Sequence, residues 1–219
     1  MHLETMKLII FDFDGTIGDT KAKIVHVMHA TMDELKLPKR SAEECASTIG
    51  FLLHDCFKRL YPGMTDEEAA TCTRTYRSIF LGNFDKMIPS PFPRVKETLE
   101  AIDSKGIQMS IASSRSSKSI WRFLGPMGIE KHFKFLIGGE QVENPKPASE
   151  PALKILEHFG IAGEDTLVVG DMPVDIMMGK AALCKTCAVT YGNANRNALE
   201  QTNPDFIVDD FNDILAIAT

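Results

Sequence analysis

The 219-residue chain has no basic surplus: 24 Lys and Arg stand against 30 Asp and Glu, a formal net charge of −6. A nucleic-acid or anionic-membrane surface needs a basic face, so the expectation is no nucleic-acid partner and no membrane. No apolar run reaches the length of a membrane span, and Met1–Thr5 (MHLET) offers no signal-peptide core. The expected location is therefore cytoplasmic. Cysteine is sparse, at five residues (Cys45, Cys56, Cys72, Cys184, Cys187), an odd count without framework spacing. Cys184 and Cys187 form a CxxC, but this pair leaves a helical pattern and enters a strand pattern. A redox pair belongs at a helix N-terminus, and a zinc site would need a second pair that the chain lacks. Five buried or half-buried thiols are expected. There is no internal repeat and no low-complexity tract. Hydrophobic residues make up 44% of the chain, enough for one large domain or a domain carrying an insert.

What is present centres on Leu8–Thr16, LIIFDFDGT. Leu8, Ile9, Ile10 and Phe11 form the continuous apolar run of a strand buried on both faces of a parallel sheet. Asp12 and Asp14 follow two residues apart, so in extended chain both carboxylates point the same way. Gly15 permits the tight turn that comes next. Two close anions at the end of a buried strand are costly unless a cation compensates them.

Downstream, Asp19 or Thr20 can cap a helix running to about Leu35, with Ile24, Met28, Met32 and Leu35 on one face. Ser41 with Glu44 and Thr65 with Glu68 read as capping boxes, the second opening one long helix through Phe80, Phe84 and Met87. Between them, Leu53, Cys56, Phe57 and Leu60 mark a further helix. Residues 19–88 thus read as four helices without a strand. Pro89, Pro91 and Pro93 then form a stiff linker. Beyond it helices alternate with strands at 107–112, 135–137, 166–169, 186–190 and 206–208, the rhythm of a parallel α/β sheet. The helix after the 107–112 strand is expected over 117–124.

Ligands of open α/β sheets bind outside the carboxyl ends of the strands. Those ends supply Asp12 and Asp14, then Ser113, Ser114 and Arg115, then Lys146 in Asn-Pro-Lys-Pro, then Asp171 and Asp175 in VVGDMPVD. Oxygen-rich carboxylate clusters select hard divalent cations, with Mg²⁺ favoured where few protein ligands and retained water complete the sphere. A lysine and a hydroxyl beside such a cation suit a phosphoryl group.

In DFDGT, IASS, NPKP and GDMPVD, in that order and spacing, the chain resembles the haloacid dehalogenase superfamily in its phosphatase branch, along nearly its whole length. VVGDMPVDIMMGKAALCKTCAVTYG looks most like phosphoglycolate-phosphatase-type members. The resemblance implies a Rossmann-like core over 1–18 and 89–219 with strand order 5-4-1-2-3, a helical-bundle cap domain over 19–88, and room for a cis Lys146–Pro147 bond. It also implies a Mg²⁺-dependent phosphatase for a small phosphorylated metabolite, acting as a monomer or homodimer. By the same resemblance Asp12 is the nucleophile and Asp14 the acid and base, a role that requires Asp14 to hold a proton near neutral pH. Mg²⁺ falls to Asp12, the Asp14 carbonyl and Asp171, with Asp175 close by. The phosphoryl oxygens fall to Lys146, the Ser113 hydroxyl and N–H groups near Phe13 and Ser114. Thr16 is expected to brace Asp14. Hinges are expected near Asp19 and Pro89, and Gly18 departs from the larger apolar residue common at its place.

Asp14 argues against a dehalogenase or a phosphonatase, neither of which carries an acid there. A phosphohexomutase of the β-phosphoglucomutase kind, or a pyrophosphatase, would use the same core residues, and a catalytically silent binding module remains the reading from another class. Residues facing the site from the cap are expected near Gly50 and Phe51, and Lys58, Arg59, Arg74 and Arg77 are candidate clamps for an anionic substrate.

Overall fold

Four consecutive apolar residues without a polar break can be satisfied only inside a sheet covered on both sides. The computed structural model describes residues 5–219 and builds that sheet around Leu8–Phe11 (β1), whose four residues are all buried. Met1–Glu4, most of the stretch read as lacking a signal-peptide core, lie outside the described residues. The remaining strands are Gly18–Asp19 (β2), Ser90–Pro91 (β3), Gln108–Ala112 (β4), Leu136–Ile137 (β5), Thr166–Gly170 (β6), Lys185–Val189 (β7) and Phe206–Val208 (β8). Six of them form one parallel sheet in the order β5-β4-β1-β6-β7-β8. Counting only these in chain order gives 3-2-1-4-5-6, the expected 5-4-1-2-3 arrangement read from the other edge, with one more strand added.

The side chains of β1 divide by parity, as a two-residue repeat requires. Ile9 and Phe11 join one apolar cluster with Val95, Leu99 and Ile102 of Val95–Ser104, whereas Leu8 and Ile10 join another with Ile155 and Met178. Helices thus cover both faces. In chain order they are α1 (Lys21–Glu34), α2 (Ala42–Ala46), α3 (Leu53–Leu60), α4 (Asp66–Gly82), α5 (Phe84–Met87), α6 (Val95–Ser104), α7 (Ser117–Met127), α8 (Glu150–Phe159), α9 (Pro173–Ala181), α10 (Arg196–Glu200) and α11 (Asp213–Ala218).

Register decides where function can sit. Phe11 lies beside Ile111 of β4 and Val169 of β6, so Asp12, Ser113 and Asp171 emerge at one edge of the sheet. The segment that leaves after β1 and returns before α6 contains α1–α5. Both predicted capping boxes are present there, Ser41 with Glu44 and Thr65 with Glu68.

Three expectations need correction. The long helix from Asp66 breaks after Gly82, because Asn83 leaves helical geometry and turns its amide to the Ile79 carbonyl at 3.0 Å, so the segment holds five helices rather than four. Asp19 and Ser90 are not plain helix cap and linker. They pair in a two-residue antiparallel ribbon that clasps the point where the segment leaves and rejoins the sheet. Finally, α7 continues to Met127 rather than stopping at 124. Pro126 sits in its last turn, where its missing N–H removes a single helical bond, and Gly128 ends the helix at φ 71°.

All five cysteines are free and buried, and burial pushes Cys184 and Cys187 each up to about 12, as expected of packed thiols. Among the described residues no helix is long and apolar enough to cross a membrane. Because Ile10 is wholly buried beneath α8 and α9, Ile10→Ala should lower the free energy of unfolding by about 2–5 kcal/mol in urea titration. Leu81→Ala, at a residue 59% exposed, should stay within about 0.5 kcal/mol.

Candidate active site

A strand that ends in DFDG must turn at once, and Gly15 does so at φ +101°, a conformation that disfavours any side chain. A Cβ there would also lie 2.3 Å from Asp171 Oδ2, so the turn and the carboxylate occupy adjoining space that only glycine leaves open. The strand-end residues then meet. Lys146 Nζ donates to Asp12 Oδ1 and to Asp175 Oδ1, each at 2.7 Å, with all three side chains at most 4% exposed. The Lys146–Pro147 peptide is cis. One carboxylate oxygen from each of Asp12, Asp171 and Asp175 lies within 4.8 Å of the others.

The electrostatics of this cluster are unbalanced. Three buried carboxylates face one ammonium. Burial raises Asp12 well above the usual carboxylate range; Lys146 opposes this, while Asp175, Asp171 and Asp14 add to it. Burial, reinforced by Asp175, pushes Asp171 up to about 7, against the hydrogen bonds it accepts from Asn193 and Thr16. Burial alone would discharge Lys146, but Asp12 and Asp175 outweigh it and raise the ammonium above its ordinary value. The surplus of buried negative charge, all on hard oxygen donors, fits a divalent cation.

Around the cluster the loops act as braces. Asp175 Oδ2 accepts from the Met172 N–H at 3.0 Å, so it caps the first turn of α9 while its other oxygen holds Lys146. Thr16 does not brace Asp14 as expected. Its hydroxyl donates to Asp171 Oδ1 at 3.0 Å, because the Gly15 turn points it across the sheet edge toward β6. Asn193 supplies the other support: its N–H donates to Asp171 Oδ2 at 2.6 Å and its amide to the Asp14 carbonyl at 3.0 Å. Its own Oδ1 is buried without a hydrogen-bond partner. Asn193 was missed because the strand-end rule was followed for only four strands. Carried to β7, it leads directly to Tyr191, Gly192 and Asn193.

Asp14 also departs from expectation. Its carboxylate accepts three hydrogen bonds of 2.9–3.2 Å from the Arg115 guanidinium, which lies 5.5 Å from the Phe80 ring and 5.3 Å from that of Phe123. Asp14 therefore faces a cation on the neighbouring strand end. Ser113 is buried at the end of β4, and its Oγ accepts from the Arg115 N–H at 3.2 Å. The Ser114 hydroxyl donates to the Gly50 carbonyl at 2.6 Å, tying the sheet edge to the helical segment. Phe13 has its ring in the core, stacked on Phe123 at 5.9 Å.

Above these residues is a cavity of about 630 Å³ lined by Asp12, Asp14, Ser113 and Arg115 on one side and by α1, α3 and α4 on the other. Gly50, Phe51 and Arg77 line it as expected. The other clamp candidates are engaged elsewhere: Lys58 pairs with Asp66 at 2.6 Å, Arg74 donates to Thr71, and Arg59 lies over the Phe51 ring at 3.6 Å.

Residues 9–189 match the family model of the haloacid dehalogenase-like hydrolases. The chain belongs to that family. It is 30% identical over 209 residues to the pyrophosphatase PpaX of Halalkalibacterium halodurans, covering 95% of each chain. It is 28% identical to the phosphoglycolate phosphatase of Shigella dysenteriae, covering 97% of this chain and 92% of that one. A crystal structure from Haemophilus somnus, described as "a predicted phosphoglycolate phosphatase", superposes with a TM-score of 0.89 at 28% identity over 98% of both chains. This haloacid dehalogenase-like hydrolase thus shares its fold with relatives along its full length.

The charge surplus generates a test that does not involve turnover. Between about pH 4 and about pH 7 the folded protein keeps a proton on Asp171 that the unfolded chain has lost, so this group makes stability fall as pH rises. A divalent cation displaces that proton and removes the penalty. The rise in Tm on adding Mg²⁺ should therefore be larger at about pH 8 than at about pH 5. In Asp171→Asn the gain should shrink and depend less on pH, and a Mg²⁺ response unchanged by that substitution would contradict the assignment.

Proposed function

We propose that the protein is a Mg²⁺-dependent phosphatase for a small phosphorylated metabolite, working through an aspartyl-phosphate on Asp12. The observation that carries this reading is the Lys146 ammonium shared by Asp12 and Asp175 beside Asp171, with Asp12 opening onto the cavity. Asp12, the Asp14 carbonyl and Asp171 would hold the cation, with Asp175 alongside. When bound, Mg²⁺ supplies the charge that lets an anionic nucleophile approach an anionic phosphoryl group.

The chain's own groups do the rest. The Asp12 carboxylate forms a bond to phosphorus as the bond from phosphorus to the ester oxygen breaks. Asp14, having taken up a proton once Arg115 leaves it, gives that proton to the departing oxygen and then takes one from the water that cleaves the acyl phosphate, regenerating Asp12. Lys146, the Ser113 hydroxyl and the N–H groups near Phe13 and Ser114 hold the transferring oxygens. Before Asp14 can act it must exchange Arg115 for the leaving oxygen, and the incoming phosphate dianion offers that guanidinium another partner. Thr16 and Asn193 act indirectly, by fixing Asp171.

In this reading residues 19–88 form a cap over a core of 1–18 and 89–219, and the ribbon of Gly18–Asp19 with Ser90–Pro91 is its hinge. A cap that closes leaves one water to complete the cycle and excludes the rest. The cytoplasm, a monomeric or homodimeric state, and the lack of nucleic-acid and membrane partners belong to the same proposal, the last supported by the acidic charge balance. A pyrophosphatase is the second reading, favoured by the relatives of that name.

With Mg²⁺ present, p-nitrophenyl phosphate should be hydrolysed, and Asp12→Asn should lower kcat by about 10³-fold or more. Failure to release p-nitrophenol, with none lost on that substitution, would favour a silent binding module. Rates on pyrophosphate, phosphoglycolate and β-glucose 1-phosphate separate the remaining readings, a mutase being marked by turnover that depends on a bisphosphate.

A further inference from the structure

The cavity is larger and more apolar than the relatives' named substrates require. Pockets of about 300–1,000 Å³ accommodate drug-sized ligands, whereas phosphoglycolate and pyrophosphate are far smaller and polar throughout. Here about 630 Å³ is walled opposite the carboxylates by Ile24 and Met28 of α1, Leu53 of α3, Phe80 and Leu81 of α4, and Phe84 of α5. Leu81, a large apolar residue lining this space, is 59% exposed. The wall also carries charged groups, the carboxylate Glu140 and several cations. Arg77, Lys118 and Arg122 line the same cavity, and among the described residues none is within ion-pair distance of a carboxylate. Arg122 instead lies 3.4 Å from the centre of the Phe84 ring.

Arg77, Lys118 and Arg122 thus offer an anion partners at the rim, while the far wall rewards apolar surface. We propose that the substrate is a phosphate monoester whose alcohol carries an extended apolar or aromatic body, packed between α1 and the Phe80–Phe84 end of α4 and α5. This rests on the phosphatase reading above and narrows it. The phosphoryl group would reach Asp12 and Lys146 at the sheet edge. The body would displace water from Leu53, Leu81 and Met28, so selectivity arises from the helical segment and not from the strand ends.

The experiment compares propyl phosphate with 3-phenylpropyl phosphate, whose leaving alkoxides are alike, so that a difference reports on the body alone. With Mg²⁺, kcat/KM should be about tenfold or more higher for the phenylpropyl ester. Leu81→Asp should cut that ratio by about threefold or more, the ratio being the readout and circular dichroism confirming the fold. A ratio near one, or phosphoglycolate turned over faster than the phenylpropyl ester, would overturn this inference and leave the phosphatase reading standing. A preference indifferent to Leu81→Asp would overturn the assigned wall. Hydrolysis of neither ester, with p-nitrophenyl phosphate also untouched, would overturn both readings together.

Discussion

The sharing of one ammonium between two buried carboxylates is the constraint on which the rest of the structure depends. Lys146 is almost wholly removed from water and so is each of its partners, Asp12 and Asp175. Removing charges from water costs several kcal/mol per ion even after relaxation, and a single cation cannot compensate three anions. Such an arrangement is a poor means of gaining stability. It persists because the fold over-determines it. β1 delivers Asp12, α9 is capped by Asp175, and the segment before α8 brings Lys146 to both.

The same logic explains why the surroundings are crowded with backbone and short side chains. Asp171 is reached by Thr16 from one loop and Asn193 from another, and the space beside it is closed by Gly15 and Gly192, where a Cβ would lie 2.3 Å from its side chain. Tyr191 extends the brace, its hydroxyl donating to the Thr16 carbonyl at 3.0 Å while its ring packs on Phe92. Three strand ends thus hold one carboxylate in a fixed orientation. A preorganised donor set loses little by reorganising when a cation or phosphoryl group arrives, which is what electrostatic catalysis requires.

Much of this was legible in the sequence because each element carries its own signal. The apolar run of β1, the two capping boxes, and the alternation beyond residue 89 reflect local rules that tertiary packing reinforced. The strand-end residues followed from topology, since parallel strands in register must present their ends together. What escaped depended on directions that no spacing encodes. Thr16 lies two residues from Asp14, yet its hydroxyl crosses to a strand 155 residues away in the chain. Asn83 ended a helix through one side-chain bond that competes with the helical ladder. The ribbon at Gly18–Asp19 is too short to have a period, and Gly18 fits there because a Cβ would sit 3.2 Å from the Phe13 ring and 3.4 Å from Pro89.

Arg115 shows why the floor of the cavity and its far wall have to be considered together. Its backbone N–H is bound to Ser113, its guanidinium to Asp14, and its central carbon lies over the rings of Phe80 of α4 and Phe123 of α7. One side chain therefore touches the phosphoryl side, the acid and the helical segment. If α4 moved away, the guanidinium would lose an aromatic neighbour, and if Asp14 turned toward a leaving group, it would need another anion. In the proposed mechanism, a phosphate dianion arriving beneath a closed helical segment would satisfy both conditions, whereas water beneath an open one would satisfy neither. On the proposed mechanism, this guanidinium would therefore couple discrimination against idle turnover to closure of the helical segment.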